Sequence, residues 1–133
     1  MTVRYLTLDD YVEIARLVTG LDEATIRGSS RLELADSALK APQAGFGETE
    51  FHPDFVEKAA VLVVRLFRNH PLPDGNKRAA FVALLMFIDI NGGSWSPVPS
   101  VDEAEQAMVA ISAGDWAIAA ATEWIRSHIK EPT

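Results

Sequence analysis

Apolar residues recur at helical spacing along most of this 133-residue chain. Tyr11, Ile14, Ala15, Leu17 and Val18 share one face of a helix that Thr7-Leu8-Asp9-Asp10 opens with a hydroxyl cap and first-turn acids, and that Gly20 closes. Leu32, Leu34, Ala35, Ala38 and Leu39 predict a second helix between Ser30 and Ala41, ended by Pro42. The stretch AGFGETEF, residues 44 to 51, breaks the pattern with two glycines and reads as a mobile loop or short hairpin. A third helix, with Pro53 in its first turn, runs through Phe55, Val56, Ala59, Ala60, Val63, Leu66 and Phe67. Its apolar positions cover most of its circumference, which places it centrally. A fourth, from about Asn76 to Ile90, stops at Asn91-Gly92-Gly93. Ser100-Val101-Asp102-Glu103 has the form of a capping box for a fifth helix to about Ala113, and Gly114-Asp115 separates it from a sixth, Trp116 to Ile129. The expected fold is all-α: about six helices in one domain over residues 1 to 133, with one small flap.

Composition narrows the function classes. The length suits one domain, and 48% hydrophobic residues suffice for one core. Twelve Lys and Arg stand against nineteen Asp and Glu, so the net charge of -7 should repel nucleic acid and anionic membrane alike. The chain has no Cys, which excludes disulfides and thiol chemistry. Its longest apolar run, Ala79 to Ile88, is half of the roughly 20 residues that span a bilayer. MTVRYLTLDDY has no signal-peptide pattern, so a cytoplasmic location is expected.

One segment departs from the acidic average. Between residues 65 and 78, Arg65, Arg68, Lys77 and Arg78 face a single acid, Asp74. Lys77 and Arg78 fall in the first turn of the fourth helix, where a cation costs about 0.3–1 kcal/mol because the dipole presents its positive end. A bound anion reverses that sign, since free first-turn amides, the dipole and both cations then act together. The preceding loop is stiff, with His70 and Leu72 each held extended by a following proline. Asp74 suits an N-cap, and equally a Mg²⁺ ligand beside phosphate oxygens. Asn76 is either a solvated first-turn residue or a donor to the same phosphate. His52 and His128 read as packing or surface residues. His70 is the histidine beside the candidate phosphate site, and a group with a reference pKa of about 6.5 accepts protons at neutral pH. It is a candidate base for a hydroxyl attacking phosphorus. No P-loop, GxGxxG, HExxH or GxSxG string offers other chemistry.

HPLPDGNKR, residues 70 to 78, resembles the signature loop of the Fic/Doc family, His-x-Phe-x-Asp/Glu-Ala/Gly-Asn-Gly/Lys-Arg. Its Asn-Lys-Arg ending resembles the Doc branch, the death-on-curing toxins of bacterial toxin–antitoxin pairs. The flanking apolar helices, LELADSALKAPQ with GFG at the flap position, and the length extend the likeness over most of the chain. The resemblance implies that His70 is the general base, that Asp74 binds Mg²⁺, that Gly75, Asn76 and Lys77 line an anion pocket with their amides, and that Arg78 contacts phosphate. Family members with Gly in place of Lys77 transfer AMP to a target hydroxyl. The Lys variant is associated with reversed ATP binding and transfer of the γ-phosphate. By the same resemblance the substrate is elongation factor Tu, and translation stops. Leu72 replaces the family's Phe, Pro73 is uncommon there, and Phe81 stands where many AMP-transferring members have a second Arg. Leu72 and Pro73 leave a non-catalytic binding module as an alternative. The family's inhibitory Ser/Thr-x-x-x-Glu-Gly/Asn string is absent from the sequence. Restraint is therefore expected from a Phd-type antitoxin whose disordered tail folds onto the toxin, in the groove between the first two helices and the flap.

Overall fold

The computed structural model describes residues 2–97, 99–114 and 117–133. Helix α1 (Leu8–Thr19) starts as a reciprocal capping box: the Asp10 amide donates to the Thr7 hydroxyl at 3.1 Å, and the Thr7 amide to the Asp10 carboxylate at 2.8 Å. Gly20, at φ 76°, turns the chain out of it. A short α2 (Glu23–Arg27) follows, capped by the Asp22 carboxylate on the Thr25 amide. Periodicity does not announce it, because five residues make little more than one turn. Helix α3 (Leu32–Lys40) runs straight into a 3-10 turn, Ala41–Gln43. Pro42 therefore does not end the helical path; it sits in the first turn of the next one, where a missing N–H costs nothing.

The flap is a hairpin of β1 (Gly45–Phe46) and β2 (Thr49–Glu50), antiparallel with Gly45 opposite Glu50. Lys58, 1% exposed, pins its base by donating to the Glu50 carboxylate at 2.8 Å and the Pro42 carbonyl at 3.0 Å. Phe46 and Phe51 remain exposed.

Helix α4 (Phe55–Asn69) is capped by Asp54, so Pro53 lies just outside the helix and not in its first turn. An Asp able to bond the Val56 amide is the better cap, and it shifts the start by two residues, to Phe55. Helix α5 (Asn76–Ile90) closes at Asn91, with Gly92 at φ 86° and the Gly93 amide returning to the Ile88 carbonyl. Helix α6 (Val101–Ser112) is capped by Ser100, while the Glu103 carboxylate faces His128 Nε2 at 3.3 Å. Helix α7 (Ile118–Arg126) is shorter than expected: Trp116, the expected start, lies outside the described residues, and Ile129 belongs to a strand. That strand, β4 (Ile129–Lys130), pairs antiparallel with β3 (Ser94–Trp95).

The architecture is thus all-α, with seven helices among the described residues and two small ladders. Helix α4 is the hub, packing against α3, α5, α6 and α7, and α1 lies across α5. Val56, Ala59, Ala60, Val63 and Val64 of α4 are fully buried, and Phe55 stacks on Phe87 of α5 at 5.2 Å between centroids. No helix among the described residues is long and apolar enough to cross a membrane. The α4–α5 pairing matters for the site, because the loop from Asn69 to Gly75 joins their ends and inherits their rigidity.

Candidate active site

His70 occupies the C-cap of α4 with φ 46° and ψ 58°, a left-handed turn and not the extended conformation expected before Pro71, and it is the one non-glycine residue at positive φ among those described. A Cβ in that region costs roughly 1–2 kcal/mol. Tertiary contacts must therefore hold it there. Its Nδ1 lies 2.7 Å from the Phe67 carbonyl. A carbonyl only accepts, so Nδ1 carries the hydrogen and Nε2 of the neutral ring keeps the lone pair. The ring also meets Phe67 edge-on at 6.0 Å.

The loop then dives into the core and returns. Leu72 is 4% exposed and belongs to the main hydrophobic cluster, so it anchors the loop in the core. Asn76 grips the same residue from the helix side: its Oδ1 accepts from the Leu72 amide at 3.0 Å and its Nδ2 donates to the Leu72 carbonyl at 2.8 Å. With both ends of that side chain engaged, Asn76 offers the site its backbone amide. Replacing Leu72 by Ala should lower stability by about 2–5 kcal/mol, the range for truncating a buried leucine. Urea unfolding checks this, and a loss below about 1 kcal/mol means that Leu72 is not an anchor.

Gly75 opens α5 at φ 78°. A Cβ there would come within 2.8 Å of Thr19 Cγ2, at the end of α1, so glycine is required by space as well as by conformation. Asp74 is not the helix cap; its Oδ1 accepts the Gly75 amide at 2.8 Å, and its other carboxylate oxygen is left over. No side chain caps α5, and the first bond into the helix runs from the Ala79 amide to the Gly75 carbonyl. The first-turn amides of Asn76, Lys77 and Arg78 are thus unspent, as helix starts leave them. Among the described residues, Lys77 and Arg78 also have no ion-pair or hydrogen-bond partner.

These groups converge. His70, Asp74, Gly75, Asn76, Lys77 and Arg78 all line one cavity of about 490 Å³, together with Phe67, Pro73 and Glu105. Two unpaired cations, three free amides and the dipole end favour an anion there. The fit to a polyphosphate is good on these observations. Asp74, with one oxygen spare, fits a divalent cation shared with phosphate oxygens, and no group of three or more metal-type side chains among the described residues offers another place for one. A second cavity of about 400 Å³ adjoins it between α5 and α6, sharing Lys77, Arg78 and Glu105 and walled by Phe81, Ala104 and Met108.

Glu105 has no counterpart in the sequence reading. It comes from α6, and only the packing of α6 on α4 brings it to the cavity. No local spacing signals it. His52 and His128 stand apart from the cavity, as expected: His52 Nδ1 contacts Glu57 at 2.7 Å, and His128 packs on Trp124 at 4.7 Å between ring centroids.

Comparison with known proteins bears on the family of the chain. The model of the Fic/DOC family matches residues 5–88, a span that contains α1 to α4, the whole loop and most of α5. Over 82 residues the chain is 40% identical to Toxin Doc of Mycolicibacterium smegmatis, an alignment covering 62% of this chain and 63% of that protein's length.

Proposed function

Because the chain belongs to the Fic/DOC family, we propose that it is the toxin of a bacterial toxin–antitoxin pair and transfers the γ-phosphate of ATP to a protein hydroxyl. The observation that carries the reading is the cavity in which Lys77 and Arg78, unpaired among the described residues, an uncapped helix start and a histidine whose Nδ1 is engaged by the Phe67 carbonyl meet. The amides of Asn76, Lys77 and Arg78 receive the terminal phosphate, and the Arg78 guanidinium adds charge-assisted bonds. Asp74 would hold Mg²⁺, which supplies neutralisation of the phosphate charge when bound. His70 Nε2 takes the hydroxyl proton as the substrate oxygen bonds to the γ-phosphorus; the bond from that phosphorus to the β-bridging oxygen breaks, and ADP leaves. The apolar walls of Phe81 and Met108 in the adjoining cavity offer a surface for the nucleobase.

Lys77 favours phosphate transfer over AMP transfer, because its side chain occupies room at the helix start that a glycine would leave to phosphate. The substrate by resemblance is elongation factor Tu, and the partner that restrains the toxin is a Phd-type antitoxin. The name of the mycobacterial relative, Toxin Doc, supports the toxin assignment. ATP labelled at the α or the γ position tests the chemistry: γ label on the substrate protein is expected, and α label retained there instead would assign AMP transfer.

A further inference from the structure

The strained conformation of His70 is held from outside its own loop. Arg31, the residue just before α3, lies 39 positions earlier in the chain, and its guanidinium forks onto two successive carbonyls. Nε donates to the His70 carbonyl at 2.8 Å and Nη2 to the Asn69 carbonyl at 2.8 Å. These two carbonyls belong to the peptide planes on either side of the His70 Cα. Fixing the first plane sets φ and fixing the second sets ψ, so one planar side chain determines both dihedrals of the residue. The contact is also favourable electrostatically, because a cation at the carboxyl end of α4 complements the helix dipole and pairs carbonyls left over by the helix.

Neighbouring bonds reinforce the same junction. Asn69 Nδ2 donates to the Leu34 carbonyl at 2.9 Å, and the Ser29 hydroxyl accepts the Arg31 amide at 3.2 Å. The other side of the histidine is set by Nδ1–H on the Phe67 carbonyl, a bond that requires the backbone turn to be in place. Arg31 does not line the cavity, so its action on the site runs through His70 alone.

We propose that Arg31 is a positioning residue which, by clamping the Asn69 and His70 carbonyls, keeps the imidazole in the Nδ1–H tautomer with Nε2 available as base. The proposal rests on the phosphate-transfer reading for its kinetic consequence and is independent of it for its spectroscopic one. Side-chain ¹⁵N NMR of the His70 imidazole is the direct test, in wild type, Arg31→Lys and Arg31→Ala, with circular dichroism confirming that each variant is folded. Wild type should show a protonated Nδ1 and a lone-pair Nε2; Arg31→Ala should show a mixture of tautomers. Lysine lacks the planar fork and should not restore the wild-type spectrum, whereas guanidinium ion added to Arg31→Ala should restore it in part. In transfer assays kcat should fall at least ten-fold while KM for ATP stays within two-fold. A His70 spectrum unchanged in Arg31→Ala overturns the clamp, even if the protein transfers phosphate. Absence of transfer in wild type, with the tautomer shift seen, overturns the reaction and leaves the clamp standing.

Discussion

Replacing His70 by Ala should lower phosphate transfer by about 10²–10⁴-fold, the usual contribution of a positioned general base. The affinity for ATP should change little, because the groups proposed to receive phosphate are the first-turn amides and the cations of α5, none of which leans on the imidazole. A fall in kcat with KM for ATP nearly constant is the signature of a group acting only in the transition state. In cells, growth arrest on expression of wild type should disappear with His70→Ala. His52→Ala and His128→Ala serve as controls, since those rings contact Glu57 and Glu103 away from the cavity and should leave transfer within a few-fold. Arrest by His70→Ala equal to that of wild type would mean that the chain acts by binding alone, the alternative raised by Leu72 and Pro73.

Replacing Arg78 by Ala is expected to act with opposite signs on two quantities. Without ligand, Arg78 is a cation at the positive end of a helix with no partner among the described residues, so its removal should stabilise the protein by about 0.3–1 kcal/mol. With ATP, the loss of a charge-assisted bond worth about 1.5–3 kcal/mol should weaken binding by roughly ten- to a hundred-fold. Thermal unfolding with and without MgATP reads both effects in one experiment. The variant should melt higher than wild type alone and gain less from nucleotide. A variant destabilised without ligand and unchanged in nucleotide affinity would place Arg78 in the scaffold and remove it from the phosphate site.

The segments legible in the sequence are those whose structure is decided locally. Thr7 to Asp10 forms the capping box, Gly20 and Gly92 take the left-handed turns, and Asp74-Gly75 delivers the chain to an uncapped helix start, whereas His70, expected extended before Pro71, turns left-handed because contacts from outside the loop hold it. The candidate site was legible for the same reason: seven of its lining residues lie within one stretch of nine positions, on a loop and the turn it feeds. What escaped depends on distance along the chain. Strands β3 and β4 join residues about 35 positions apart, and neither is long enough to alternate visibly. Glu105 reaches the cavity by helix packing, and Arg31 reaches His70 by a fold-dependent approach of α3 to the end of α4. Asp54 beside Pro53 shows a subtler failure, in which two adjacent residues both suit a helix start and the side-chain bond decides.

The charge pattern gains its meaning from this geometry. A chain of net charge -7 keeps two cations, unpaired among the described residues, at a helix start that no side chain caps, and it sets the acid Asp74 beside them with an oxygen to spare. Glu105, also lining the cavity, offsets part of that field.

The most direct test is a titration of the ¹⁵N-labelled protein with MgATP, followed through its backbone amide resonances. The amides of Asn76, Lys77 and Arg78 should show the largest shifts, saturating together, with those of the hairpin at Gly45 to Glu50 moving less. Saturable binding that leaves these three amides unmoved while resonances elsewhere shift would contradict the account, because phosphate would then lie away from the start of α5.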